Sequence, residues 1–208
     1  MHGLVFYIGL GCGLALACGM RPFLPVLLTG ALGSAKALGV SFPAGSYHFL
    51  AAGWWLLAVA VAFVAAWAAQ LLLGLAPVYD PVSRTPRRDP LAAALTGLAL
   101  GAGALLFAGT LAAHGDAPLA GAVAGLLVAG LAQRVAGPLF VGARGRLQDG
   151  GARQALTLYL DSAALIVAAL VALLHPLGYV AVAGALWLAF RRRARSDQKY
   201  AGLRVLRR

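Results

Sequence analysis

Six long apolar stretches constrain the fold of this chain more than any other feature. They run from Gly3 to Leu32, from about Phe49 to Leu75, from Leu91 to Ala113, from Leu119 to Val141, from Ala155 to Leu174 and from Leu177 to Phe190. A bilayer span needs roughly 20 mostly apolar residues, because about 30 Å of hydrocarbon is crossed at 1.5 Å per residue. Several stretches reach that length with almost no charge, which a soluble domain of 208 residues does not need. A membrane β-barrel would instead show short segments of alternating polarity. The chain therefore reads as an all-α polytopic membrane protein. The sixth stretch is short and is expected to gain length from the arginines after it by snorkelling.

The connections divide by charge. Tyr79–Pro90 is polar and proline-rich and carries Arg84, Arg87 and Arg88; Arg144–Arg153 carries three arginines. The segment 191–208 carries eight Lys or Arg and one acid, Asp197. By contrast His114–Pro118 and His175–Gly178 carry no Lys or Arg, and Gly33–His48 carries only Lys36. Short basic loops stay on the cytoplasmic side. Six crossings fit this pattern, with both termini cytoplasmic in the inner membrane of a bacterium. Residues 1–190 then form one transmembrane domain and 191–208 a basic cytoplasmic tail.

The net charge of +11 is concentrated at those basic ends. Anionic lipid headgroups are its natural partners. Nucleic acid is not expected, since no aromatic-basic binding pattern accompanies the charge. Cys12 and Cys18 point to different helix faces and cannot pair within one helix. No metal-ligand spacing is present and no cofactor is implied. Ala15–Cys18 has the outline of a lipoprotein cleavage box, but no positive region precedes it. The first stretch is expected to stay in the mature protein.

Six crossings with this orientation make segments one to three and four to six run in opposite senses. Each half opens on an interrupted segment: Arg21 and Pro25 in the first, Arg134 and Pro138 in the fourth. Arg134 and Pro138 follow Arg21 and Pro25 at the same offset of 113 residues. Two inverted three-helix repeats are expected, about 3–113 and about 118–190, with the first and fourth segments broken.

Polar residues inside apolar stretches carry the functional expectations. A charge at bilayer depth costs about 2.5–3.5 kcal/mol on insertion scales, so Arg21 must face protein, water or the interface. Pro22 lacks an N–H, and Pro25 leaves the Arg21 carbonyl without its helical partner. Broken backbone at depth must line a cavity or pack in protein. Arg21, Pro22 and Pro25 are therefore candidates for binding an anionic substrate; a plain structural kink is the competing account. Arg134 and Pro138 are candidates on the same grounds, against an arginine simply placed near the inner membrane face. Asp161 is the only acid within an expected span, with Thr157 one turn earlier on the same helical face. It is a candidate for proton or ion coupling, or for neutralising Arg21 or Arg134. Gln70 is a candidate substrate contact or a helix-helix hydrogen bond. Trp54, Trp55 and Tyr47 suit an aromatic belt. The pairs Gly97/Gly101 and Gly121/Gly125 suit close helix packing, including across a homodimer.

The segments GCGLALACGMRPFLPVLLTGAL, PVYDPVSRTPRRDP and KYAGLRVLRR together resemble a bacterial membrane family, that of domain of unknown function 4126. The resemblance covers nearly the whole chain. Its most specific element, Gly-x-Arg-Pro-Phe-Leu-Pro, falls on Gly19, Arg21, Pro22, Phe23, Leu24 and Pro25. The family implies an acidic residue near the end of the second helix, where this chain has Gln70. The resemblance implies a membrane protein and no activity.

Inverted repeats with broken helices are the signature of alternating access, so a small transporter or lipid flippase is the expected function. An arginine on each broken segment suits a phosphate-bearing lipid or an organic anion, and Asp161 suits proton coupling. A dimeric channel and a non-transporting scaffold or assembly factor are the alternatives. Membrane-embedded enzymes need paired carboxylates, histidine clusters or an activated nucleophile, and none is assembled here.

Overall fold

The computed structural model describes residues 3–42, 45–73, 90–147 and 150–205. The described residues form α1 (Leu4–Met20), α2 (Phe23–Ala35), a 3-10 turn (His48–Ala51), α3 (Gly53–Leu73), α4 (Pro90–Ala112), α5 (Pro118–Arg146), α6 (Gly150–Leu173) and α7 (Leu177–Val205). There is no strand among them. Four helices, α3 to α6, are long and apolar enough to cross a membrane. The polar connection 74–89, with Arg84, Arg87 and Arg88, lies outside the described residues.

The break in the first apolar stretch falls at Arg21–Pro22. The ring of Pro22 disfavours a helical residue before it. Arg21 is accordingly extended, at φ −151° and ψ 123°, and ends α1 with its N–H on the Ala17 carbonyl. Pro25 does not interrupt anything. It lies in the first turn of α2, where its missing N–H has no helical acceptor to lose.

The chain turns back at this break. Tyr179 donates its hydroxyl to the Val5 carbonyl at 2.5 Å, the Tyr7 ring stacks on His114, and Phe6 meets His175. The start of α1 therefore lies beside the α4–α5 and α6–α7 connections. The far part of α2 returns to the same end, with Gly30 against Leu50 and Leu56 and Gly33 against Phe42. Gly39, just beyond, reaches the His175 ring. The helices α1 and α2 thus form a hairpin that enters and leaves at one end of the bundle. Its tip lies level with Asp161, eleven residues after Gly150 and twelve before Leu173, halfway along α6.

This hairpin corrects the expected topology. Gly3–Leu32 folds back as two helices, and six crossings are not confirmed. After the hairpin, α3 to α7 alternate in direction, so the start of α1 lies at the opposite end of the bundle from the end of α7. Hydropathy registers how much apolar chain there is, not whether a proline break continues the path or reverses it. The described helices do not confirm the expected pair of inverted three-helix repeats.

The fourth stretch is not broken either. The helix α5 runs from Pro118 through Pro138 to Arg146. Pro138 is exposed at the side of the bundle, and its ring displaces nothing from a packed neighbour. It frees only the Arg134 carbonyl, and the next carbonyl along, that of Val135, accepts from Arg192 Nη1 at 2.8 Å. Pro138→Ala is expected to keep the fold and raise stability by at most about 3 kcal/mol, the interior helix cost of proline. Thermal unfolding in detergent checks this, and a lowered midpoint would mean that the bundle needs the proline's bend.

At the centre of the bundle stands α1, packed on α4, α5, α6 and α7. Ten of its residues are buried, four of them glycines between Gly9 and Gly19. Without side chains at Gly11 and Gly13, the rings and branches of Phe107 and Val171 reach its backbone. Leu10, Leu14, Leu106 and Val171 are the large side chains of the core around it. The two glycine pairs behave differently. Gly121 and Gly125 press α5 on the backbone of α4, at Phe107–Ala108 and Gly103–Ala104. Gly97 and Gly101 meet nothing within 4 Å.

Candidate functional site

The hairpin tip carries a charge pair. Arg21 Nε stands 3.1 Å from Asp161 Oδ1, with the two side chains 13% and 9% exposed. The extended backbone at Arg21 is what points this side chain from the tip of the hairpin toward α6, instead of along the axis of α1. On α6 the neighbours of Asp161 on the same face are the small, buried Ala164 and Ala168, so the carboxylate can be approached closely. The guanidinium also lies over the ring of Phe140, 5.2 Å from its centroid, a cation–π contact between α5 and the tip.

Around the pair, Phe23, Phe63, Ala66, Trp67 and Gln70 close a cavity of about 10 Å³. The rings of Phe23 and Phe63 are 5.9 Å apart and tie the start of α2 to the middle of α3. A single water needs roughly 10–15 Å³, so the cavity has room for about one water and none for a substrate in this conformation. Two charges in such a place attract strongly, but both have lost their water, and the net gain over an apolar pair is small. The arrangement can hold a charge at depth and release it only if a wall moves.

The structure sorts the expected site residues. Arg21, Asp161 and Gln70 converge on one cavity. Pro22 makes the turn that brings them together, and Pro25 starts α2. Thr157 is buried on the Asp161 face of α6, but its hydroxyl donates to the Arg153 carbonyl at 3.1 Å, one turn back. Arg134 and Pro138 are exposed and are not brought to the Arg21–Asp161 cavity. Phe140, Phe63 and Trp67 were not legible as site residues, because an aromatic ring in an apolar span looks the same facing lipid or a guanidinium. Among the described residues no three His, Cys, Asp or Glu side chains gather to hold a metal. Cys12 and Cys18 are free thiols.

A polytopic helical membrane bundle with a charged hairpin ending at mid-depth is the class that this fold and site define. The chain belongs to the family described as Domain of unknown function (DUF4126), which matches residues 8–195 and so takes in the hairpin, Arg21, Gln70 and Asp161. No curated protein and no solved structure matches it.

Proposed function

We propose that this protein is a small transporter or lipid flippase for an anionic, phosphate-bearing substrate, with the Arg21–Asp161 pair as its internal gate. The observation that carries this is an ion pair at the tip of a hairpin halfway through the bundle. Ionisable residues at membrane depth are costly, and they mark substrate paths and proton relays. In the working cycle an anion competes with Asp161 for Arg21, and protonation of the displaced Asp161 couples a proton to the movement. The closed cavity corresponds to the occluded state. By the positive-inside rule the basic ends of α5, α6 and α7 face the cytoplasm of a bacterium and the start of α1 faces outward.

The test is reconstitution into vesicles of phosphatidylethanolamine and phosphatidylglycerol, with leaflet exchange of a headgroup-labelled phosphatidylglycerol and uptake of an organic anion as parallel readouts. Wild-type protein is expected to accelerate one of them, and Arg21→Ala and Asp161→Asn to lower that rate at least tenfold. Unchanged rates in both variants would sink the assignment. The 10 Å³ cavity favours one second reading, a non-transporting scaffold whose ion pair only locks the hairpin. Well-folded wild-type protein that moves neither probe would support it.

A further inference from the structure

A second cavity lies on the other side of Phe23. It is an apolar groove of about 440 Å³ between α3 and α4, floored by the start of α2. Its walls are Ala58 and Ala62 on one side and Gly97, Gly101 and Leu105 on the other. Small residues on two facing helices ordinarily let the helices close on each other. Here they do not: α3 packs on α2 and the 3-10 turn, and Gly97 and Gly101 face open space. Among the described residues nothing fills this groove.

We infer that this groove seats one acyl chain of a membrane phospholipid. Both walls belong to helices apolar and long enough to span the bilayer, so lipid is the medium at its mouth. From Gly97 to Leu105 is about 12 Å of helix, and about 440 Å³ along that length has room for a hydrocarbon tail. Trp55 lines the groove near the start of α3, and its indole N–H is buried without a hydrogen-bond partner among the described residues. A phospholipid brings ester and phosphate oxygens to that level, and a turn of the half-buried indole gives the N–H an acceptor. At the other end Phe23 lines both the groove and the Arg21–Asp161 cavity. One ring therefore separates the seated tail from the ion pair.

Native mass spectrometry of the full chain, washed free of lipid and titrated with palmitoyl-oleoyl-phosphatidylglycerol, tests the seat. The wild-type protein is expected to hold one lipid at concentrations where Gly101→Leu, which fills the groove from α4, holds at least tenfold less. Ala62→Leu fills it from the opposite wall and is expected to do the same, and Trp55→Phe to weaken retention severalfold with the thermal midpoint unchanged. Equal retention by the wild type and both leucine variants overturns the inference. So does a wild-type dimer that Gly101→Leu splits without loss of lipid, since the groove would then be an interface between copies. Lipid retention is read without any flux, so failure of the transport assay leaves this result standing, and Arg21→Ala is expected to retain lipid normally.

Discussion

Asp161→Leu, with Arg21 left in place, is expected to destabilise the protein by about 3–5 kcal/mol, the usual cost of stranding one charge of a buried pair. Arg21→Leu should cost a similar amount. The double variant Arg21→Leu/Asp161→Leu is expected to recover most of the loss, because two leucines leave no charge to solvate. The size of the effect follows from the surroundings. The two side chains are 13% and 9% exposed, and the cavity beside them holds about 10 Å³, so no more than about one water can take the place of the missing partner. Phe140 remains beneath the guanidinium, but a cation–π contact is worth only about 0.5–2 kcal/mol and cannot offset the loss. Unfolding of the four proteins of this cycle in mixed detergent measures the coupling directly. Additive single and double losses would mean that the pair is geometric rather than energetic.

Gly125→Ala is the second large effect. A methyl group at Gly125 would overlap the Gly103 carbonyl oxygen and stand 2.8 Å from Ala104 Cα. Both are backbone atoms of α4 and cannot rotate aside, so α4 and α5 must separate. Overpacking of this kind costs about 1–3 kcal/mol. Gly101→Ala is the control on the facing helix. Its methyl group meets nothing within 4 Å, and alanine's helix propensity favours it by up to about 1 kcal/mol. Unfolding midpoints of the two variants should therefore move in opposite directions. Movement of both downward would place Gly101 against a neighbour and count against an open groove.

Much of the fold was legible in the sequence because it depends on length and polarity. The apolar stretches beginning at Phe49, Leu91, Leu119 and Ala155 correspond to the four long apolar helices, and each boundary falls near a polar or proline residue. Arg21 and Asp161 were legible as partners because each is expensive alone in hydrocarbon. The path of the first stretch was not. Thirty residues of helix measure about 45 Å against about 30 Å of hydrocarbon, and that excess was the sign of a fold-back. Arg134 misled because the identity of two residues at a matching offset carries no information about the backbone between them. Pro22 restricts Arg21 and breaks the helix, whereas Pro138 is carried by an otherwise regular one. The difference lies in what surrounds them: the hairpin tip is held by packing from α6 and α3, while the Pro138 side chain is exposed on a helix that runs on past it.

The enclosure of α1 by four later helices sets an order of assembly. The hairpin leaves the ribosome before the helices that enclose it, and the carboxylate that neutralises its arginine is 140 residues further along the chain. At about 5–20 residues per second, Arg21 waits roughly 7–28 s for Asp161. The wall contributed by α7 comes later still. Over that interval a glycine-rich helix with a charged end has neither the complete α6 nor any of α7 beside it. A segment made before the helices around it is thus among the last to be secured, and the ion pair acts as the clasp that closes the bundle once α6 has arrived.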